Sequence, residues 1–315
     1  MSKLKIVFYG TPDFAVATLK ALVDSGKKVV GVVTAPDKPA GRGRSLKQSA
    51  VKEYALSQNL NVLQPVNLKS EEFQSALKAL QPDLQIVVAF RMLPETVWKL
   101  PKWGTFNLHA SLLPQYRGAA PINWAIINGE TKTGITTFFI DDKIDTGEII
   151  VQKEVEISET DNAGTLHDKL MNAGSQLVLE TVKQIEGGKI ITQKQPLSKD
   201  LKTAYKLNPE NTKIDWSKSG KEIYNFIRGL SPYPAAWCYF NQDENAISIK
   251  IYKSSFESSM HNDPSGTILT TRKTMKVAVK DGYIHIEEIQ FPGKKKMDIT
   301  SFLNGFEVKN PAEVY

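Results

Sequence analysis

Residues 6–34 constrain the fold more than any other stretch of this chain. Ile6-Val7-Phe8-Tyr9 is a short apolar run that reads as a buried strand. Gly10-Thr11-Pro12-Asp13 then supplies a glycine turn, an N-cap expected at Thr11, a proline at the first helical position and an acid in the first turn. Val16, Leu19, Leu22 and Val23 fall on one face of the helix that follows, which ends near Gly26. Residues 29–34 read as a second strand. A strand, a helix and a strand in that order call for a parallel pair joined by a right-handed crossover.

The same alternation continues. The patterns predict a helix over 70–80, strands over 84–89 and 104–108, a helix over 120–128, strands over 134–140 and 148–157 around an acidic turn, and an amphipathic helix over 165–185 stopped by Gly187-Gly188. The character then changes. Residues 189–206 are polar and rich in Lys and Gln, which reads as a linker. Beyond them come short β-like runs at 246–252, 266–269, 275–279 and 284–289, a spacing that suggests a small barrel or sandwich. The expected organisation is therefore an α/β domain with a mainly parallel sheet over 1–188, a linker over 189–206, and a small β domain over 207–315.

Composition excludes several classes. No apolar run is long enough to cross a bilayer, and 6–9 is too short for a signal-peptide core, so a cytosolic protein is expected. A single cysteine, Cys238, precludes an intrachain disulfide and reads as a packed apolar residue. The four histidines show no zinc spacing, and no metal is expected. A net charge of +6 permits a nucleic-acid partner without requiring one. Nothing suggests a repeated apolar surface, and a monomer is expected.

The chemistry concentrates in Asn107-Leu108-His109-Ala110-Ser111-Leu112-Leu113-Pro114-Gln115-Tyr116-Arg117-Gly118. Asn107 and His109 stand two apart at the end of a predicted strand, so they share one face while Phe106 and Leu108 share the other. They leave the sheet at the carboxyl ends of its strands, where open α/β sheets bind ligands. Downstream, Asp141-Asp142-Lys143-Ile144-Asp145-Thr146-Gly147 forms an acidic loop between two apolar strands. A carboxylate there is placed to pair with His109 and keep its imidazole charged. An amide at Asn107 and an imidazolium at His109 suit attack of an amine on a formyl carbon, whose tetrahedral intermediate carries a negative oxygen. Asp145 would orient His109 and help relay a proton.

These residues, with the opening Phe-Tyr-Gly-Thr-Pro-Asp-Phe, a downstream Asp-Thr-Gly, Pro36-Asp37-Lys38-Pro39-Ala40-Gly41-Arg42-Gly43-Arg44, Ile214-Asp215-Trp216 and Gly293-Lys294-Lys295-Lys296-Met297, resemble the folate-dependent formyltransferases. The likeness is greatest to those that act on charged initiator tRNA, and it spans nearly the whole chain. It implies a Rossmann-like first domain, an OB-like barrel after it, 10-formyltetrahydrofolate as formyl donor and initiator methionyl-tRNA as acceptor. It also implies Asn107, His109 and Asp145 as the catalytic trio, and Ser111, Leu112, Leu113 and Pro114 as a folate-contacting loop. Phe90, Met92 and Asp141 follow as further folate contacts. Phe90-Arg91-Met92-Leu93-Pro94 departs from the longer, glycine-containing form common in the family.

Lys38, Arg42, Arg44 and Lys47 cluster with only Asp37 opposing them, and Gly41 and Gly43 loosen the segment. So long a basic connection between a strand and a helix fits an arm that orders on an acceptor stem through phosphate contacts. The resemblance implies that role, with Arg42 foremost. Lys294, Lys295 and Lys296 form the dense basic cluster of the second domain, which is expected to hold tRNA on the same resemblance. Two rival functions are a formyltransferase acting on a nucleotide-linked amino sugar and a catalytically silent tRNA-binding factor. The basic arm argues against the first, and the intact trio against the second.

Overall fold

The structure is a computed structural model that describes residues 3–40, 45–188, 190–196, 200–242, 245–309 and 311–315. It divides into two compact units. The first comprises Met1–Gly118, Thr133–Val155 and His167–Thr203, and the second comprises Ala119–Lys132, Glu156–Leu166 and Ala204–Tyr315.

A seven-stranded sheet organises the first unit. Strands β1 (Lys5–Gly10), β2 (Lys28–Val33), β3 (Val62–Leu63), β4 (Leu84–Val88), β5 (Thr105–His109), β6 (Lys132–Phe139) and β7 (Ile149–Glu156) lie in the order β7-β6-β5-β4-β1-β2-β3. β1 runs parallel to both β2 and β4, β4 to β5, and β2 to β3, whereas β6 is antiparallel to β5. Ile6, Val7, Phe8 and Tyr9 are all fully buried, the unbroken apolar run expected of a strand covered on both faces. Strand order reverses at β1, with β2 on one side and β4 on the other. The carboxyl ends of β1 and β4 therefore open a switch-point crevice, and β5 ends beside it.

The helix Asp13–Asp24 starts one residue later than the sequence suggested. Pro12, not Thr11, is the N-cap, with extended backbone at ψ 176° and no side-chain cap bond. Proline has no N–H to satisfy, and Asp13 in the first turn complements the helix dipole instead. The helix Ala163–Glu186 buries Leu170, Leu177, Val178, Val182 and Ile185. A side chain at Gly174 would meet Leu108 at 2.8 Å, so the missing Cβ lets this helix lie close against the back of β5.

In the second unit, β8 (Ala236–Gln242), β9 (Asn245–Ser258), β10 (Ile268–Thr270), β11 (Met275–Val279) and β12 (Gly282–Gln290) pair antiparallel in the order β10-β11-β12-β9-β8. The last strand, β13 (Glu313–Val314), pairs with β8 and bridges to Thr267 beside β10. Val314 N–H donates to the Gly266 carbonyl at 2.9 Å, so the sheet becomes a nearly closed barrel without a long free edge. Phe240, Ile249, Ile251, Val277, Ile284 and Ile289 fill it, together with Ile223, Ile227 and Leu230 of the helix Gly220–Leu230. That helix lies outside the sequence expectation of short strands alone. Cys238 is fully buried among these residues, as a packed apolar group.

Candidate active site

β5 places Asn107 opposite Val87 of β4 and Phe138 of β6, and His109 opposite Thr136. Phe106 and Leu108, the alternate positions, are buried on the other face. Asn107 is half-buried, yet its Oδ1 is buried without a hydrogen-bond partner among the described residues. Leaving such an atom unpaired costs about 1–3 kcal/mol, and a bound N–H recovers it.

His109 is 7% exposed, and its Nε2 lies 2.8 Å from the Tyr116 carbonyl oxygen. A carbonyl only accepts, so Nε2 carries a proton and donates it there. Nδ1 then faces the Asp145 carboxylate at 3.9 Å. That is close enough for the charges to interact and too long for a hydrogen bond. The ring is thus aimed by the Tyr116 carbonyl, while Nδ1 stays available beside a negative charge.

The acidic loop is shaped by its backbone. Asp145 has a left-handed conformation, φ 55°, and its Oδ2 accepts a hydrogen bond from Gly118 N–H at 2.9 Å. A Cβ at Gly147 would lie 1.6 Å from the Phe139 carbonyl oxygen, so no other residue fits where the loop closes back on β6. Asp141 Oδ1 accepts from Lys143 N–H at 3.0 Å and from the Thr146 hydroxyl at 2.7 Å, pinning the turn, whereas Asp142 is exposed.

The loop after β5 is held from beneath. The Thr136 hydroxyl donates to the Ser111 carbonyl at 2.7 Å, and Gln152 Nε2 donates to the Leu113 carbonyl at 2.9 Å. Ser111 and Leu113 are buried, with the Ser111 hydroxyl donating to the Gln115 carbonyl at 2.6 Å. Leu112 and Pro114 are half-exposed and carry the free surface of this loop. Phe90 packs edge to face on Tyr9 with centroids 5.6 Å apart. Arg91 donates to the carbonyls of Pro65 and Val66, and Met92 is exposed in an open groove that it shares with Val66, Asn67 and Lys69.

Of the basic residues, Lys38 and Lys47 are exposed on the paired segments Lys38–Ala40 and Ser45–Lys47. Arg42 and Arg44 lie outside the described residues. Lys294, Lys295 and Lys296 are exposed, and Lys296 pairs with Glu288 at 2.7 Å. The described residues contain no cluster of His, Cys, Asp and Glu that could hold a metal ion, and no helix long and apolar enough to cross a membrane.

Sequence reasoning missed four supports of this site. Thr136 and Gln152 hold the loop after β5, and the Tyr116 carbonyl holds His109. Gln195, from the polar stretch after the long helix, holds the acidic loop by donating to the carbonyls of Asp145 at 2.9 Å and Gly147 at 2.8 Å. Thr136, Gln152 and Gln195 act through hydrogen bonds distant in sequence, and Tyr116 through its main chain seven residues from His109, neither of which a spacing rule reports.

Comparison with known proteins bears on this arrangement. A family model described as formyl transferase matches residues 4–182, and one described as formyl transferase, C-terminal domain, matches residues 206–307. The methionyl-tRNA formyltransferase of Flavobacterium johnsoniae is 58% identical over 315 residues, covering 100% of both chains. That of Flavobacterium psychrophilum is 58% identical over 316 residues, again covering 100% of both. Among solved structures, an N-formyltransferase from Helicobacter canadensis, in complex with folinic acid and dTDP-3-aminofucose, shares the fold with a TM-score of 0.67 at 23% identity. That match covers 90% of this chain and 98% of the other.

Proposed function

The chain belongs to the formyl transferase family, and we propose that it transfers the formyl group of 10-formyltetrahydrofolate to the α-amino group of the methionine on initiator methionyl-tRNA. The products are N-formylmethionyl-tRNA, used in translation initiation, and tetrahydrofolate. Full-length identity of 58% to relatives named for that reaction supports the choice of acceptor. The observation that carries the chemistry is the convergence of Asn107, His109 and Asp145 at the carboxyl end of β5.

In this reading the amine nitrogen attacks the formyl carbon, and the bond from that carbon to N10 of the folate breaks as the intermediate collapses. The amine loses a proton, and N10 gains one. The Asn107 amide N–H and a His109 Nδ1–H donate to the oxygen that becomes negative, with the Asp145 carboxylate 3.9 Å from that nitrogen. The unpaired Asn107 Oδ1 suits an N–H of the incoming amine or the folate. Leu112, Pro114, Phe90, Met92 and Asp141 are the folate contacts in this scheme, with Ser111 and Leu113 shaping their loop from within. Residues 1–188 act as the catalytic part and 207–315 as the tRNA-holding part beyond the 189–206 linker. Lys38, Arg42, Arg44, Lys47 and Lys294, Lys295 and Lys296 contact phosphates. The enzyme works in the cytosol as a monomer.

The test is formyl transfer from 10-formyltetrahydrofolate with charged initiator tRNA, uncharged tRNA and a nucleotide-linked amino sugar as parallel acceptors. Transfer confined to the charged tRNA is the expected result, and transfer to the sugar alone would overturn the acceptor assignment. An Arg42→Ala variant is expected to raise KM for tRNA and leave folate affinity unchanged. Equal loss of both would remove the basic arm from the tRNA contact set.

A further inference from the structure

We propose that Gln195 is a positioning residue for the transfer reaction, one that sets the catalytic carboxylate of Asp145 through the backbone of its loop. The proposal rests on the catalytic reading of Asp145 given above.

Asp145 occupies a left-handed backbone conformation, φ 55°, which is uncommon outside glycine although aspartate tolerates it better than most residues. The direction of its side chain follows from that conformation. Gln195 grips the loop at that residue and two residues on, because its Nε2 donates to the carbonyl of Asp145 at 2.9 Å and to that of Gly147 at 2.8 Å. An amide donates usefully only when the right end faces the acceptors. Arg117 decides which end does so. Its Nε and Nη2 donate to Gln195 Oε1 at 3.1 and 2.6 Å, and a guanidinium has no acceptor with which to satisfy the reversed amide. The residue after Arg117 completes a ring of contacts, since Gly118 N–H donates to Asp145 Oδ2 at 2.9 Å. Asp145 is thereby fixed at its main chain by Gln195 and at its carboxylate by Gly118, and Gln195 and Gly118 are joined through Arg117.

The consequence concerns catalysis more than affinity. The carboxylate lies 3.9 Å from His109 Nδ1 with no direct hydrogen bond to hold that spacing, so the surrounding ring has to hold it. A misplacement of about 1 Å in a reacting constellation lowers rate by roughly 100-fold. Loss of the Gln195 amide should therefore lower kcat and leave both KM values close to those of the parent.

The experiment is a double-mutant cycle on the full chain, measuring kcat and KM for charged initiator tRNA and for 10-formyltetrahydrofolate in the parent, Gln195→Ala, Asp145→Ala and the double variant. Expected is a kcat loss of about 10- to 100-fold in Gln195→Ala with unchanged KM values, and no further loss when Gln195→Ala is added to Asp145→Ala. Gln195→Glu serves as a second variant that retains size and the Arg117 contact, lacks the amide donor, and is expected to show the same kcat loss. A Gln195→Ala loss that multiplies with that of Asp145→Ala, or falls on KM alone, or parent-like kcat in both Gln195 variants, would overturn the positioning role while leaving Asp145 catalytic. Parent-like kcat in Asp145→Ala would overturn the catalytic reading itself, and this proposal with it.

Discussion

His109 Nδ1 and Asp145 Oδ2 stand 3.9 Å apart, and neither completes a hydrogen bond to the other. The imidazole is anchored at its opposite nitrogen by the Tyr116 carbonyl, 2.8 Å from Nε2. Under the proposed chemistry, His109→Ala removes one oxyanion donor from a site whose loops are held by other residues. We expect kcat to fall by roughly 100- to 1,000-fold, with the far-UV spectrum and Tm close to those of the parent. Asp145→Asn should fall in the same direction by losing the charge while retaining the shape. Parent-like turnover by His109→Ala would remove the imidazole from the mechanism.

Gly147→Ala tests the loop on steric grounds alone. The added Cβ would sit 1.6 Å from the Phe139 carbonyl oxygen, a backbone atom that no rotamer change can move aside. The loop must open, and overpacking of this kind costs about 1–3 kcal/mol. Expected are a lower Tm and a kcat loss shared with Asp145→Ala, both read on purified protein. A variant with parent-like Tm and kcat would show that the Asp-Thr-Gly turn tolerates another path.

These two cases also mark what was legible in the sequence. The pairing of Asn107 with His109 follows from the two-residue period of a strand, and the parallel sheet follows from the strand–helix–strand opening, because both signals are local. Gln195 carries no such signal. It acts on Asp145 and Gly147 across 50 and 48 positions, and a glutamine in a polar stretch looks the same whether it faces solvent or a loop carbonyl. The helix Gly220–Leu230 is a different case. Ile223, Ile227 and Leu230 have helical spacing and Ser219 with Glu222 forms a capping box, so the signals exist and are outweighed only when the region is read for short strands. The Thr11 cap failed because two rules competed, and the extended backbone at Pro12 displaced the start of the helix by one residue.

Asp37 gives a pH signature. Its carboxylate accepts from Lys52 Nζ at 2.5 Å and from Gln64 Nε2 at 2.7 Å, and these bonds, that of Lys52 foremost, hold its pKa below the ordinary carboxylate value. A carboxyl whose pKa is depressed on folding contributes stability that is fully present above its unfolded pKa, about 3.9, and that is lost as pH falls through the folded value. Asp37→Asn should therefore lower Tm at pH 7 and reduce the slope of Tm against pH on the acid side. Superimposable acid-side slopes for the variant and parent would show that the Lys52 contact contributes nothing measurable, as many exposed pairs do.

Cys238 provides a probe of the second unit by itself. It is fully buried in the barrel core, and burial pushes its thiol pKa up to about 12. The thiolate is the reactive form, so at pH 8 the folded barrel should protect Cys238 both by raising its pKa and by excluding reagent. The expected result is no reaction with a thiol-specific chromophoric reagent in native buffer and one thiol per chain after denaturation, since the chain contains one cysteine. Reaction in the native state at the rate of a free thiol would mean that the barrel opens freely, in conflict with the pairing of β13 that nearly closes it. Slow reaction that accelerates with denaturant would instead report the opening free energy of the barrel, because the rate then follows the population of the open form.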